Sequence, residues 1–154
     1  MSEADTPKVR IFSPLVYLAG LVVGHFVSWW LPIEALPVRA AWIAGAILFV
    51  SGLALGASAM GNFMRSGTTI RPDRASTRLV IAGPYKFTRN PMYVGMAIAY
   101  LGVAIADRSL ASLLLLPVVL LVIRRAVIAN EEAFLERRFG SAYTDYKTKV
   151  RRWL

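Results

Sequence analysis

The chain has 154 residues, is 56% hydrophobic and carries a net charge of +9, with a mean hydropathy of +0.53. That is one domain's length and more apolar than the roughly 45–50% of an ordinary soluble domain. Cysteine is absent, which excludes disulfides, a thiol nucleophile and a Cys-ligated metal but says nothing of compartment.

Residues 1–10 mix both signs of charge (Glu3, Asp5, Lys8, Arg10) and are expected to form a disordered tail. No formally charged residue occurs from Ile11 to Ile33, nor from Ala40 to Met64. Each run exceeds the ~20 residues a helix needs to cross a hydrocarbon core of ~30 Å. The first lacks a small-residue cleavage site after it and is expected to be a retained membrane helix over 11–33. Its His25 is the chain's one histidine; a single imidazole makes no metal site, so no metal is expected and a bond to a neighbouring helix is. Trp29 and Trp30 suit an interfacial belt.

The second span, 40–61, holds Gly45, Gly52, Gly56 and Gly61. Gly52-x-x-x-Gly56 has the spacing for close helix approach, expected within one bundle rather than between copies. A basic loop over 62–90 follows. Two shorter charge-free runs, 91–106 and 109–129 once Arg124 and Arg125 are allowed to snorkel, are parted only by Asp107 and Arg108 and read as a helical hairpin. Residues 130–154 read as C-terminal helices, with Phe139, Tyr143, Tyr146, Val150 and Trp153 on one amphipathic stripe, Gly140 ending the helix before it and Ser141 capping. The fold class is therefore all-α: a polytopic membrane bundle of about four transmembrane helices plus a C-terminal amphipathic helix, forming a single domain over 11–154.

Sixteen of the eighteen Lys and Arg residues fall on the side of the tail, the 62–90 loop and the C-terminal part; only Arg39 and Arg108 lie opposite. The positive-inside rule puts both termini in the cytoplasm, with a bacterial inner membrane the expected location. Because the excess charge flanks apolar spans, the lipid bilayer is the expected partner and nucleic acid is not.

The stretch GPYKFTRNPMYVG, Gly83–Gly95, is more polar than a helix start requires. Asn90 precedes Pro91, so it should be extended and cap the helix that Pro91 begins. The free N–H groups of that first turn also suit an anion. Tyr85 and Tyr93 offer ring faces to a flat base or a sulfonium cation. Near the end of the fourth span lie Glu131 and Glu132, two carboxylates that are costly unless solvated or paired. Arg124–Glu131 and Arg125–Glu132 are each seven apart, so each pair should share a side of a continuous helix. Arg124 and Glu132 are thus candidates to hold a zwitterionic substrate.

The ordered string Leu79-Val80, Gly83-Pro84-Tyr85, Arg89-Asn90-Pro91-Met92-Tyr93-x-Gly95, then Glu131-Glu132-x-x-Leu135-x-x-x-Phe139-Gly140-x-x-Tyr143-x-x-Tyr146 resembles the isoprenylcysteine carboxyl methyltransferase and phospholipid methyltransferase superfamily over roughly residues 60–154. The resemblance implies a membrane methyltransferase that uses S-adenosylmethionine in a cytoplasmic pocket without a Rossmann sheet, and a lipophilic or small-molecule methyl acceptor arriving from the bilayer side. It implies cofactor contacts at Thr77, Arg78, Leu79, Val80, Tyr85, Asn90, Pro91, Met92, Tyr93 and Glu131. Asn90 stands where the family often has histidine; asparagine keeps a donor and an acceptor but cannot shuttle a proton. The arginine that prenylcysteine-acting members place just before the glutamates falls near Val127. Arg89 and Asn90 are the candidate catalytic residues, Arg89 to orient the acceptor. A membrane reductase using a nicotinamide cofactor and a non-enzymatic lipid-binding scaffold are the competing readings.

Overall fold

The computed structural model describes residues 12–30, 37–66 and 79–154. The expected tail, residues 67–78 of the basic loop and the site candidates Thr77 and Arg78 lie outside the described residues.

All regular structure among the described residues is helical. Helix α1, Ser13–Ser28, starts with Pro14 in its first turn, where a missing N–H costs nothing. Helix α2, Val38–Arg65, follows Pro37 and runs 28 residues. A single 3-10 turn, Gly83–Lys86, leads to α3, Pro91–Ala106. The chain reverses over Asp107–Ser109, with Arg108 at φ 53°. It then runs through α4, Leu110–Ile123, a π turn at Arg124–Ile128 and α5, Ala129–Phe139. These last three form one continuous helix of 30 residues. Helix α6 is Ser141–Lys149.

Two helices, Val38–Arg65 and Leu110–Phe139, are long and apolar enough to cross a membrane. Helices α1 and α3 have 16 residues each, about 24 Å at ~1.5 Å per residue, so length alone does not make them spans. Large apolar side chains such as Leu18, Ile43, Ile47 and Leu114 are exposed along the helices, as a bilayer-facing surface requires.

The close approach of α2 and α3 is built on glycine. A Cβ on Gly52 would lie 2.5 Å from the Ala99 nitrogen and the Gly95 carbonyl, and one on Gly45 would lie 2.5 Å from the Gly102 carbonyl. Gly95 and Gly102 are equally tight from the other side. Backbones therefore meet where side chains would otherwise stand, which is how helices associate without a hydrophobic driving force between them. The expected intramolecular use of the small residues is met, although the tight pair is Gly45 and Gly52 while a Cβ on Gly56 meets nothing within 4 Å.

Helix α1 packs along α4. A Cβ on Gly24 would lie 2.2 Å from the Ser112 hydroxyl, and the buried Ser109 side chain receives the Ser112 N–H at 3.0 Å as the cap of α4. Tyr100, 2% exposed, donates its hydroxyl to the Ser112 carbonyl at 2.8 Å. At the same end His25 bonds Asp107 (Nδ1–Oδ2 2.7 Å), the neighbouring-helix bond expected of it.

One expectation fails at the chain's C-terminal part. The stripe continuing through Val150 to Trp153 predicts that the helix after Gly140 runs through Trp153, but α6 stops at Lys149 and Val150 is extended (φ −124°, ψ 131°). The carbonyl groups of Arg151 and Arg152 are instead taken by the turn before α3: the Arg89 N–H reaches the Arg151 carbonyl at 2.9 Å, and the Asn90 side-chain amide reaches that of Arg152, also at 2.9 Å. Tertiary hydrogen bonds outweigh local periodicity there. Gly140 does break the helix with a positive φ of 52°, but Ser141 is the first residue of α6 and not its cap.

The glycine interface makes a discriminating prediction. Gly52→Ala should destabilise the protein by about 1–3 kcal/mol, the usual cost of forcing atoms into a packed contact. Gly56→Ala should be neutral or stabilise by up to ~1 kcal/mol. Unfolding curves of both variants in the same detergent check the order.

Candidate functional site

Backbone freedom at Gly83 (φ 59°), whose Cβ position is within 2.9 Å of Asn62 side-chain atoms, tucks the 3-10 turn against α2. Tyr85 is thereby buried with Ala59 and Val80, flanked by Phe63 and Met92; Leu79 is half-buried. The Tyr146 hydroxyl donates to the Tyr85 carbonyl at 2.6 Å, tying α6 to the turn. Burial raises the Tyr85 hydroxyl's pKa above its ordinary value and pushes that of Tyr146 up to about 12. Both remain neutral donors at physiological pH.

One turn into α3, Tyr93 donates its hydroxyl to Glu131 Oε1 at 2.7 Å. Its carbonyl accepts from the Tyr17 hydroxyl of α1 at 3.1 Å. The second Glu131 oxygen has no partner among the described residues. Burial raises the Glu131 pKa, against the Tyr93 hydrogen bond that lowers it, and the neighbouring Glu132 charge raises it further. A partly buried carboxylate with one oxygen uncommitted is a receptor for a cation.

Glu132, one residue on, is differently placed. Its side chain is 8% exposed and its Oε1 lies 3.1 Å from Arg89 Nη2. The same oxygen accepts from Arg152 Nε at 3.0 Å while Oε2 meets Arg152 Nη2, a bidentate pair. The hydrogen bond to Glu132 is the main cause of the raised Arg152 pKa. Arg89 also donates from Nη1 to the Lys147 carbonyl at 3.3 Å, and the Thr88 hydroxyl donates to the Arg152 carbonyl at 3.1 Å. The turn before α3, α5, α6 and the following strap are clamped around one carboxylate.

Two expectations are corrected here. Asn90 occupies the capping position of α3 but makes no side-chain cap; its amide is spent on the Arg152 carbonyl, leaving the first-turn N–H groups of Met92 and Tyr93 without a side-chain acceptor among the described residues. Nor does Arg125 pair with Glu132. The π turn at Arg124–Ile128 bonds i to i+5 and rotates all that follows, turning Glu132 toward Arg89 and Arg152.

An apolar groove of about 650 Å³ opens between α3 and α4, lined by residues that include Val94, Leu101, Leu116, Leu120, Arg124 and Trp153. Val94 adjoins Tyr93 and Trp153 adjoins Arg152, so the groove ends beside the polar cluster. Arg124 supplies the one charged side chain of that lining, which Leu154 also joins.

The predicted residues Val80, Tyr85, Asn90, Pro91, Met92, Tyr93 and Glu131 thus gather with Leu79 around the start of α3, Glu132 and Arg89 enter the clamp, and Arg124 faces the groove. Sequence reasoning missed Tyr17, Thr88, Arg152 and Trp153. For Arg152 the nearer Arg124, Arg125, Arg137 and Arg138 masked the signal; Tyr17 gave none, being one more aromatic in an apolar run.

Removing the clamp should be costly. Glu132→Ala leaves Arg89, 10% exposed, as a buried unpaired charge, and should destabilise by about 3–5 kcal/mol. Arg152→Ala should cost less, because its side chain is 31% exposed and Arg89 still answers the carboxylate. Denaturant unfolding in detergent measures the ratio.

The geometry can be set beside known proteins. The family model described as phospholipid methyltransferase matches residues 40–142. The chain is 31% identical over 108 residues to "Protein-S-isoprenylcysteine O-methyltransferase" of Schizosaccharomyces pombe, covering 63% of this chain and 46% of that protein. It is 29% identical over 135 residues to "Nickel-cobalt-cadmium resistance protein NccN" of Alcaligenes xylosoxydans xylosoxydans, covering 88% of this chain and 57% of that protein. An uncharacterized protein of Haemophilus influenzae is 41% identical over 63 residues. The chain spans less than half of the S. pombe relative. The match runs from the start of α2 into α6 and so takes in the α2–α3 interface, the Tyr93–Glu131 contact and the Glu132–Arg89 pair: the chain belongs to the phospholipid methyltransferase family.

Proposed function

We propose that this chain is an integral membrane methyltransferase that uses S-adenosylmethionine to methylate a lipophilic or small acceptor, a carboxylate, thiol or amine, at the cytoplasmic face of a bacterial inner membrane. Four spans, α1, α2, α3 and α4 with its π turn, bring both termini to the cytoplasmic side, in keeping with the distribution of basic residues. The observation that carries the reading is the Tyr93–Glu131 hydrogen bond, which joins the turn into α3 to α5 across 38 residues of sequence and leaves one carboxylate oxygen open.

The residues present fit the cofactor. Glu131 matches an ammonium group, the uncapped first turn of α3 matches a carboxylate, and the walls formed by Val80, Tyr85, Met92 and Tyr93 match an apolar, flat or sulfonium-bearing surface. When bound, S-adenosylmethionine supplies an electrophilic methyl group on a sulfonium centre. The chain's own part is to bind, orient and exclude water. Accurate placement of two reactants supplies much of such a rate, and the apolar groove delivers an acceptor along α3 with Arg124 near its polar end. Arg89, whose guanidinium is committed to Glu132 and Lys147, acts as a positioning residue for the α3 turn. Asn90 does the same through Arg152. No side chain is assigned as a general base.

Calorimetric titration of the detergent-purified protein should show saturable cofactor binding that survives high salt, unlike a headgroup-binding scaffold. Glu131→Gln should weaken it about ten- to hundredfold, the worth of a hydrogen bond to a charged group, and Tyr93→Phe by less. Unaltered affinity in both variants contradicts the assignment. The charged form of Glu131 is the one that binds, so affinity should fall as pH drops through a raised pKa, beginning above the ordinary 4.5. Glu131→Gln should abolish that dependence.

A further inference from the structure

Helix α1 lies outside the matched residues 40–142, yet one of its side chains reaches the proposed donor site. Tyr17 is 5% exposed, and its hydroxyl donates to the Tyr93 carbonyl at 3.1 Å. That carbonyl lies near the start of α3, where its ladder partner is the N–H four residues on and its second lone pair is open to another donor. The Tyr17 ring meets the Tyr100 ring edge-on, with centroids 6.3 Å apart. It belongs to the same core cluster as Val127 and Ile128 of the π turn, which aims α5.

A buried hydroxyl at bilayer depth has to find some acceptor, and Tyr100 shows the plain case. It donates to the Ser112 carbonyl, toward the opposite end of the bundle, where the His25–Asp107 and Ser28–Ser109 contacts also tie α1 down. Tyr17 instead takes the carbonyl of the residue whose own hydroxyl reaches Glu131. The device recurs at Tyr85, whose carbonyl accepts from the Tyr146 hydroxyl. Each proposed donor-site tyrosine is thus held at its backbone by a second tyrosine, and its side chain is left to the site.

We infer that Tyr17 is a positioning residue of the donor site: by holding the Tyr93 backbone it directs the Tyr93 hydroxyl onto Glu131, which makes α1 a working part of the site. The inference rests on the methyl-transfer reading above. A displacement of the Tyr93 backbone is carried through its ring to the hydroxyl, and hydrogen bonds weaken steeply once misaligned. Without that bond the Glu131 carboxylate is no longer fixed for a cationic group. Packing alone requires the Tyr17 ring and not its hydroxyl.

Tyr17→Phe keeps the ring and deletes the hydroxyl. In calorimetric titration of the full chain with S-adenosylmethionine it should weaken binding about fivefold, the worth of one neutral hydrogen bond. Because Tyr17 acts through Tyr93, the loss should shrink to less than about twofold in a Tyr93→Phe background. Tyr100→Phe is the control: it removes a buried hydroxyl from the same cluster and should lower the unfolding midpoint as Tyr17→Phe does, with cofactor affinity unchanged. Unchanged affinity in Tyr17→Phe, the full loss repeated on top of Tyr93→Phe, or an equal loss in Tyr100→Phe overturns the inference. If the unmodified protein binds no cofactor, the methyl-transfer reading itself fails. Denaturant unfolding without cofactor then decides the positioning. Tyr17→Phe and Glu131→Gln, which remove the bonds at the two ends of Tyr93, should together cost less stability than the sum of their separate losses; strictly additive losses overturn it.

Discussion

A carboxylate 8% exposed between two guanidinium groups is the constraint on which the polar end of this protein depends. Taking Glu132 out of water is unfavourable by several kcal/mol unless its charge is answered and its lone pairs are filled. Arg89 comes from the turn before α3 and Arg152 from the strap after α6, so satisfying one carboxylate fixes the relative positions of segments 63 residues apart. The same arginines and their neighbours then spend backbone carbonyls and amides on one another. With that frame set, the adjacent Glu131 turns to Tyr93, and none of the described residues meets its other oxygen. Two neighbouring glutamates thus have opposite duties: one closes the structure and the other, in the proposed reading, opens a site.

Beyond this polar frame the bundle relies on contact between backbones. Glycines at 45, 52, 95 and 102 let α2 and α3 touch, and serines bind α1 to the turn between α3 and α4. Neither device leaves a large buried apolar core, which suits a protein whose outer surface faces hydrocarbon. It also leaves α3 and α4 apart over part of their length, where the groove opens. The donor and acceptor sides of the proposed reaction meet at the start of α3 because the polar frame ends there and the groove begins.

Much of this was legible in the residues. The hairpin at Asp107-Arg108 and the small-residue interface follow from charge-free run lengths and glycine spacing, and the convergence of the Tyr93 turn on the acidic pair from the family resemblance. The roles of Asn90, Arg125 and the strap were not. Asn90-Pro91 reads as a cap because capping is local, whereas its actual partner lies 62 residues away. The Arg125–Glu132 spacing reads as a pair because it assumes 3.6 residues per turn, and the π turn at Arg124–Ile128 breaks that count without any glycine or proline to mark it. The Phe139–Trp153 stripe reads as helix because tertiary hydrogen bonds that extend Val150 leave no trace in periodicity. The Asn90 and strap misses are long-range bonds overriding a short-range preference; the Arg125 miss is a local change of helical pitch.

The central claim is that a methyl donor sits between the start of α3 and α5. Photocrosslinking with an azido-adenosyl analogue of S-adenosylmethionine, followed by peptide mapping of the full chain, tests it most directly. The account predicts label on peptides bearing Tyr85, Met92 or Tyr93 and on the peptide bearing Glu131, removed by excess unmodified cofactor. Competable label confined to peptides bearing His25 or Asp107, at the opposite end of the bundle, would contradict it.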